Sequence, residues 1–399
     1  MAKCRSASAT IKGFIFQYDA SILKILQSSD NADIILENIE DIDILTSGKT
    51  EAIQCKYYEN TDLTYSVLRE IIAPMLEDFK KRTAPIKYYL YGHFSNISLV
   101  DYDDPSIFKE KVLKYKHDGV NGNLSDDLHL SDSEIQNFLK IFNLITTAGT
   151  FDEHKNKVTN ELKKCFNATD TEVEFLYYPN AFHHVANKSA KKAIAERKIK
   201  RKDFISELKN TKTIVYNKAL IESLEMDKYC KKMRNNYFSS INISPFARIF
   251  IIEYFDLFSI SDLKNVLLDI RNKWSSHKKK RISESIMYAP YIFIRNCPDE
   301  CLKQIMTEFY NEGITFVDGY PFKGSCFTVN HLNKTRSGEN QVSLRLIDTN
   351  NNLDEIINSN FGKTKEIFDF YLTVPIPVKA DIKSIHIPIK SISMISQII

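Results

Sequence analysis

Residues 33–58 read DIILENIEDIDILTSGKTEAIQCKYY. Two short apolar runs, 33–37 and 42–45, flank a polar turn, and a third, 52–58, follows the turn Ser47-Gly48-Lys49. Side chains alternate faces along a strand. Asp41 and Asp43 therefore share one face of the second run, with Ile42 and Ile44 on the other. Gln54 and Lys56 share a face of the third, opposite Ile53, Cys55 and Tyr57. Paired as a hairpin, the two strands bring four polar side chains to one cleft.

The flanks extend this into a domain. Residues 11–27, IKGFIFQYDASILKILQ, carry a helical apolar face, and residues 63–82 form a second amphipathic stretch in which Pro74 predicts a kink or break. Residues 86–91 are strand-like again. This order predicts an α/β domain, a mixed central sheet flanked by helices. A length of 399 residues exceeds one small core and predicts two or three domains. The expected division is 1–150 and 151–399, the second part mainly helical over 151–312, with a strand at 173–178, and β-rich over 313–399. Its last runs, YLTVPIPV and IHIPI, have the Pro punctuation of edge strands.

The polar set of the first segment suits phosphodiester hydrolysis. Mg²⁺ or Mn²⁺ takes oxygen donors, often one or two carboxylates with water and phosphate. Asp43, Asp41, Glu37 and Gln54 are the candidate metal ligands, Asp43 preferred over Asp41. Lys56 is placed to orient the attacking water and to stabilise charge on the phosphate. Acidic residues in a turn and a Gln-x-Lys strand are also common on solvated faces. A non-catalytic DNA-binding or scaffold subunit, and a nuclease acting on RNA, are the competing readings.

The block GFIFQYDASILKIL…IILENIEDIDIL…IQCKYYE resembles the Cap4-like endonuclease family, a branch of the PD-(D/E)xK restriction-endonuclease-like superfamily used in bacterial antiphage defence. The resemblance covers residues 11–95 and implies a restriction-endonuclease-like fold and a Mg²⁺-dependent double-stranded DNA endonuclease. It places Gln17, Glu37, Asp41 or Asp43, Gln54 and Lys56 at the family's catalytic positions, Gln54 standing where an acid is usual. The later part shows no match to the cyclic-oligonucleotide-sensing domain of that family. Its FVDGYPFKGSCF (316–327) and AERKIKRKDF (195–204) resemble instead the nuclease subunit of Lamassu-type three-component systems. That resemblance implies an SMC-like ABC ATPase and a small third subunit as partners, with homo-oligomerisation on activation.

Net charge argues little: 54 Lys and Arg against 51 Asp and Glu leave +3. The basic stretch containing Lys192, Arg197, Lys198, Lys200, Arg201 and Lys202 is the candidate DNA contact, and HKKKR (277–281) reads as a solvated helix end. Seven cysteines form no CxxC pair, which argues against structural zinc. Adjacent His183 and His184 lack ligand-spaced companions, and Lys323-Gly324-Ser325 lacks the Walker spacing. No apolar leader or membrane span is visible, so a cytoplasmic bacterial protein is expected.

Overall fold

A computed structural model describes residues 7–117, 120–239, 247–276, 288–334, 341–359, 365–377 and 382–399. The run 277–281 lies outside these. The chain divides into two units, Met1–Leu208 and Lys209–Ile399.

The first unit opens with helix α1 (Ser8–Gln27), which buries Phe16, Ile22, Ile25 and Leu26. Strands β1 (Asp33–Leu36), β2 (Ile42–Thr46) and β3 (Lys49–Tyr58) follow as an antiparallel meander. Gly48, at φ +77°, supplies the left-handed residue of the β2–β3 turn. Helix α2 (Tyr65–Lys81) is capped by Thr64 and carries the chain to β4 (Ile86–Phe94), parallel to β3. Pro74 does not break α2. It sits on the exposed face, so the Glu70 carbonyl that its missing N–H leaves unmet is open to solvent.

Helix α3 (Asp132–Ile141) leads to β5 (Phe142–Ile145), parallel to β4. Helices α4 (Phe151–Phe166) and α5 (Tyr178–Ser189) come next, then the short β6 (Lys198–Lys200), antiparallel to β1. The sheet order is β5-β4-β3-β2-β1-β6. One face packs α1, α4 and α5 on Ile42, Ile53, Cys55 and Tyr57; the other packs α2 and α3 on Ala52, Tyr88 and Leu90. The unit is a mixed-sheet α/β sandwich of three layers.

The contact division falls after Leu208, well beyond residue 150, because β6 completes the sheet and α4 and α5 cover α1. Residues 173–177 are helical rather than extended: Thr169 and Glu172 form a capping box that starts a helix just before them. Helix α6 (Arg201–Ser223) runs across the division.

The second unit interleaves helices and strands instead of segregating them. Helix α7 (Met226–Tyr237) precedes β7 (Ala247–Glu253), followed by α8 (Ile260–Trp274), β8 (Tyr291–Arg295), α9 (Asp299–Asn311), β9 (Phe316–Val317), β10 (Leu344–Ile347), α10 (Asn350–Asn358), β11 (Lys365–Tyr371), β12 (Lys383–Pro388) and α11 (Ser393–Ile398). The strands form one all-parallel sheet, β9-β10-β8-β7-β11-β12. Phe250 and Ile252 face one helical layer and Ile249 and Ile251 the other. Strands buried on both faces read as continuous apolar runs, which is why ARIFIIE passed as helix. Of 313–328, only Phe316–Val317 is strand; Gly319 and Gly324 turn the rest through left-handed positions. IHIPI lies in the edge strand β12 as expected, whereas of YLTVPIPV only Tyr371 is strand, the last residue of β11, and 372–377 leave the sheet. Among the described residues no helix is long and apolar enough to cross a membrane.

Candidate active site

The site forms where the chain leaves β1, turns, and re-enters as β2 beside β3. Within that turn the Glu37 N–H donates to Asp41 O at 3.1 Å and the Asn38 N–H to Glu40 O at 3.2 Å. Glu37 opens the turn with φ +53°, a left-handed conformation that a residue bearing a Cβ adopts at a cost.

Asp43 holds this turn from below. Its Oδ2 accepts from Asn38 Nδ2 and the Ile39 N–H, both at 2.8 Å, and its Oδ1 from the Glu40 N–H at 3.3 Å. It lies opposite Ala52 and is fully buried. Both of its oxygens are taken up by the Asn38–Glu40 turn, whereas Asp41 is engaged by the end of β3. Asp41 Oδ2 accepts from the Cys55 N–H at 2.7 Å and from Gln54 Nε2.

Glu37 receives the matching bond from α1, where Gln17 Nε2 donates to its Oε1. Gln17 and Gln54 thus do the same thing from opposite sides: each turns an amide N–H₂ onto a half-buried carboxylate. Lys56 is half-buried and makes no hydrogen bond or ion pair among the described residues, yet its positive field reaches Glu37, Glu40 and Asp41. Gly92 on β4 is the register partner of Lys56, and a Cβ there would stand 2.7 Å from the Lys56 carbonyl. Glycine lets β4 approach closely enough to hold Lys56 in place.

Charge in this pocket is under-compensated. Burial, and then Asp41, push the Glu37 carboxyl up, against Gln17, Arg197 and Lys56. Burial also raises Asp41, against the Cys55 amide, Lys56 and Gln54. Glu40, 8 % exposed, is driven furthest, to about 8, by burial and then by Asp41 and Asp43. Sequence reasoning passed over Glu40; the available signal was its place in the run Glu37, Glu40, Asp41, Asp43.

A hard divalent cation fits this donor set, with Glu37 and Asp41 as carboxylate ligands and the Gln54 and Cys55 carbonyls as neutral ones. Among the described residues no three His, Cys, Asp or Glu side chains gather as a metal centre. Two carboxylates with amide oxygens are within what Mg²⁺ uses when phosphate completes the shell.

The basic stretch divides. Lys192, Lys200 and Lys202 are exposed. Lys198 pairs with Asp33 at 2.6 Å, and Arg201 bonds Leu26 O at 2.8 Å and Asp30 at 2.7 Å. Arg197 reaches the site itself, donating to the backbone carbonyl of Glu37. The two histidines stand apart, His184 on Glu207 at 3.0 Å and His183 on Asn187 at 2.8 Å.

No protein-family model matches the chain, and no curated protein matches it. Among solved structures, the Acinetobacter baumannii Cap4 SAVED/CARF-domain containing receptor matches in three forms. With the cyclic trinucleotide 2'3'3'-cAAA the identity is 11 % over 100 % of this chain and 93 % of that one, TM-score 0.33. With 3'3'3'-cAAA it is 11 % over 97 % and 92 %, TM-score 0.33. For the receptor described without a ligand it is 12 % over 98 % and 84 %, TM-score 0.33. These are Cap4 receptors and not Lamassu nucleases; of the segments read as Lamassu-like, 316–327 is the two-residue strand β9 with glycine turns, and 195–204 is a short turn, β6 and the start of α6. The Lamassu-type assignment is therefore set aside.

Proposed function

We propose that the first unit is a divalent-cation-dependent nuclease of restriction-endonuclease-like fold that hydrolyses phosphodiester bonds of double-stranded DNA. The observation that carries this reading is the convergence of Glu37, Asp41, Gln54 and Lys56 at the fork between β2 and β3, with the Lys56 side chain unpaired among the described residues. An acid pair held only by amides, beside a free ammonium, is poised for a cation and a phosphate.

Each residue has a role its position supports. Glu37 and Asp41 hold the cation, Mg²⁺ or Mn²⁺, and Gln17 and Gln54 orient those carboxylates. When bound, the cation polarises the phosphate and acidifies a coordinated water. Lys56 stands where it can orient that water and offset charge building on the phosphate oxygens. The protonated Glu40 keeps a third negative charge out of the pocket at neutral pH. The exposed Lys192 and Lys200 are available to the DNA backbone. The sequence resemblance over 11–95 adds the expectation that this activity serves antiphage defence.

The test is plasmid cleavage with Mg²⁺ or Mn²⁺, wild type against Lys56→Ala, with RNA of equal length in parallel. Metal-dependent cutting of DNA that falls by about 10²–10³-fold in the variant, with the melting curve unchanged, is the expected result. Cutting that survives in Lys56→Ala would remove the site. Loss of no biological function in that variant would favour a non-catalytic DNA-binding scaffold.

A further inference from the structure

Arg197 lies far from Glu37 in sequence, yet its guanidinium is spent on that neighbourhood. Nη1 donates to Glu37 O, Nε to Lys191 O at 2.7 Å and Nη2 to Lys192 O at 3.1 Å. Three backbone carbonyls converge on one planar fork, a geometry lysine cannot reproduce. The strap that carries Arg197 is itself pinned. β6 pairs with β1 through Asp33 with Lys200, Ile34 with Ile199 and Ile35 with Lys198, and the Lys198–Asp33 ion pair closes at 2.6 Å. Arg197 is thus delivered to the end of β1, where the chain enters the Glu37 turn.

Glu37 has two needs there. Its backbone is left-handed, so the turn must be held from outside. Its carboxylate must point at the cleft, which the Gln17 amide secures from the other end of the residue. Arg197 fixes the carbonyl and Gln17 fixes the carboxylate, so the side chain between them has one direction to take.

We propose that Arg197 is a positioning residue for the cation site, acting through Glu37 and not through DNA. This rests on the nuclease reading above. Arg197 touches no reacting atom; it sets the peptide from which a metal-binding carboxylate projects, and its charge sits behind that carboxylate. Residues that orient metal ligands typically alter metal affinity by about 10–100-fold when removed.

The test uses the full chain. Mn²⁺ is titrated against wild type, Arg197→Gln, Arg197→Lys and Lys192→Gln, and free Mn²⁺ is read by its paramagnetic resonance signal. Thermal melting and metal-free duplex affinity at several salt concentrations are measured on the same samples. Expected are Mn²⁺ binding weakened about 10–100-fold in Arg197→Gln, an intermediate loss in Arg197→Lys, and wild-type binding in Lys192→Gln. Duplex affinity without metal stays level in Arg197→Gln and falls in Lys192→Gln.

Unchanged Mn²⁺ affinity in Arg197→Gln overturns the proposal. So does loss of Mn²⁺ binding in both Arg197 variants together with the melting transition, which would make the residue a fold determinant only. So does a drop in metal-free duplex affinity with a salt slope reduced by about 1 in Arg197→Gln, the mark of a phosphate contact. If wild type itself neither binds Mn²⁺ nor cuts DNA, the nuclease reading falls and takes the positioning role with it. That failure shows in the wild type, before any variant is compared.

Discussion

In the first unit Glu37, Glu40 and Asp41 crowd one turn, and their positive neighbour Lys56 pairs with none of them. In the second unit Glu253, at the end of β7, is as buried as Glu40 but fully answered. It accepts from the Leu372 N–H at 2.6 Å, the Thr373 N–H at 3.0 Å and the Thr373 hydroxyl, and it pairs with Arg295 at 3.0 Å. Burial pushes Glu253 up, but these donors outweigh it and hold its carboxyl below the ordinary range. Glu366 is also met by protein cations, Arg248 at 3.4 Å and Lys383 at 2.6 Å. Burial alone does not mark a functional acid. What separates the two regions is whether the fold supplies the counter-charge or leaves it to a ligand.

The largest effect expected of this difference is at Glu40. Its carboxyl titrates near 8 when folded and near its ordinary 4.5 when unfolded. Below 4.5 both states hold the proton and nothing is lost. As pH rises from 4.5 to 8 the unfolded chain releases its proton first, so stability falls, by about 4–5 kcal/mol across the window. Glu40→Gln removes this dependence. Urea unfolding at pH 5 and pH 9 is expected to show equal stability at the first and a more stable variant at the second. A variant that is weaker at pH 9 would mean Glu40 is compensated after all, and the contrast with Glu253 would collapse.

Next comes Glu253→Ala. It strands Arg295, whose side chain is 13 % exposed, and leaves the Leu372 and Thr373 amides without their acceptor. Breaking a buried pair from one side costs about 3–5 kcal/mol. The same urea series at pH 7 measures it, and a cost under about 1 kcal/mol, the range of exposed pairs, would show that the site is open to water.

How much of this could be read beforehand depends on range. The β1–β2–β3 meander was visible because its signals are local: turn residues at Asn38 and Gly48, and alternation in IDIL and IQCKY. The shared face of Asp41, Asp43, Gln54 and Lys56 followed from strand period alone. Choosing between Asp41 and Asp43 did not, because that depends on which carboxylate the Asn38–Glu40 backbone captures. Arg197 looked like a surface cation because its partner, the Glu37 carbonyl, lies 160 residues earlier in the chain. The parallel sheet of the second unit hid for a different reason. ARIFIIE and YIFIR are apolar on both faces, so they carry no period to separate strand from buried helix.

The smallest effect separates two buried histidines. His386 has its Nδ1 2.9 Å from Asp369 Oδ2, which also accepts from the Ile376 N–H. His154 is 1 % exposed, its ring tilted against Phe16 with centroids 4.4 Å apart, and neither ring nitrogen has a hydrogen-bond partner among the described residues. Burial lowers its pKa to about 4, from an ordinary 6.5. Above 6.5 the ring is neutral in both states. As pH falls toward 4 the unfolded chain takes up the proton and the folded chain does not, so about 3 kcal/mol of stability is lost. His154→Phe is expected to match wild type near pH 7, within about 1 kcal/mol for a similar-sized ring, and to stay level where wild type weakens. His386→Phe is expected to lose about 1–3 kcal/mol at pH 7, since Asp369 is left buried with one partner fewer. Melting both variants from pH 7 to pH 4 decides the matter. If His154→Phe weakens with pH as wild type does, His154 finds a partner in solution, and its contrast with His386 is lost.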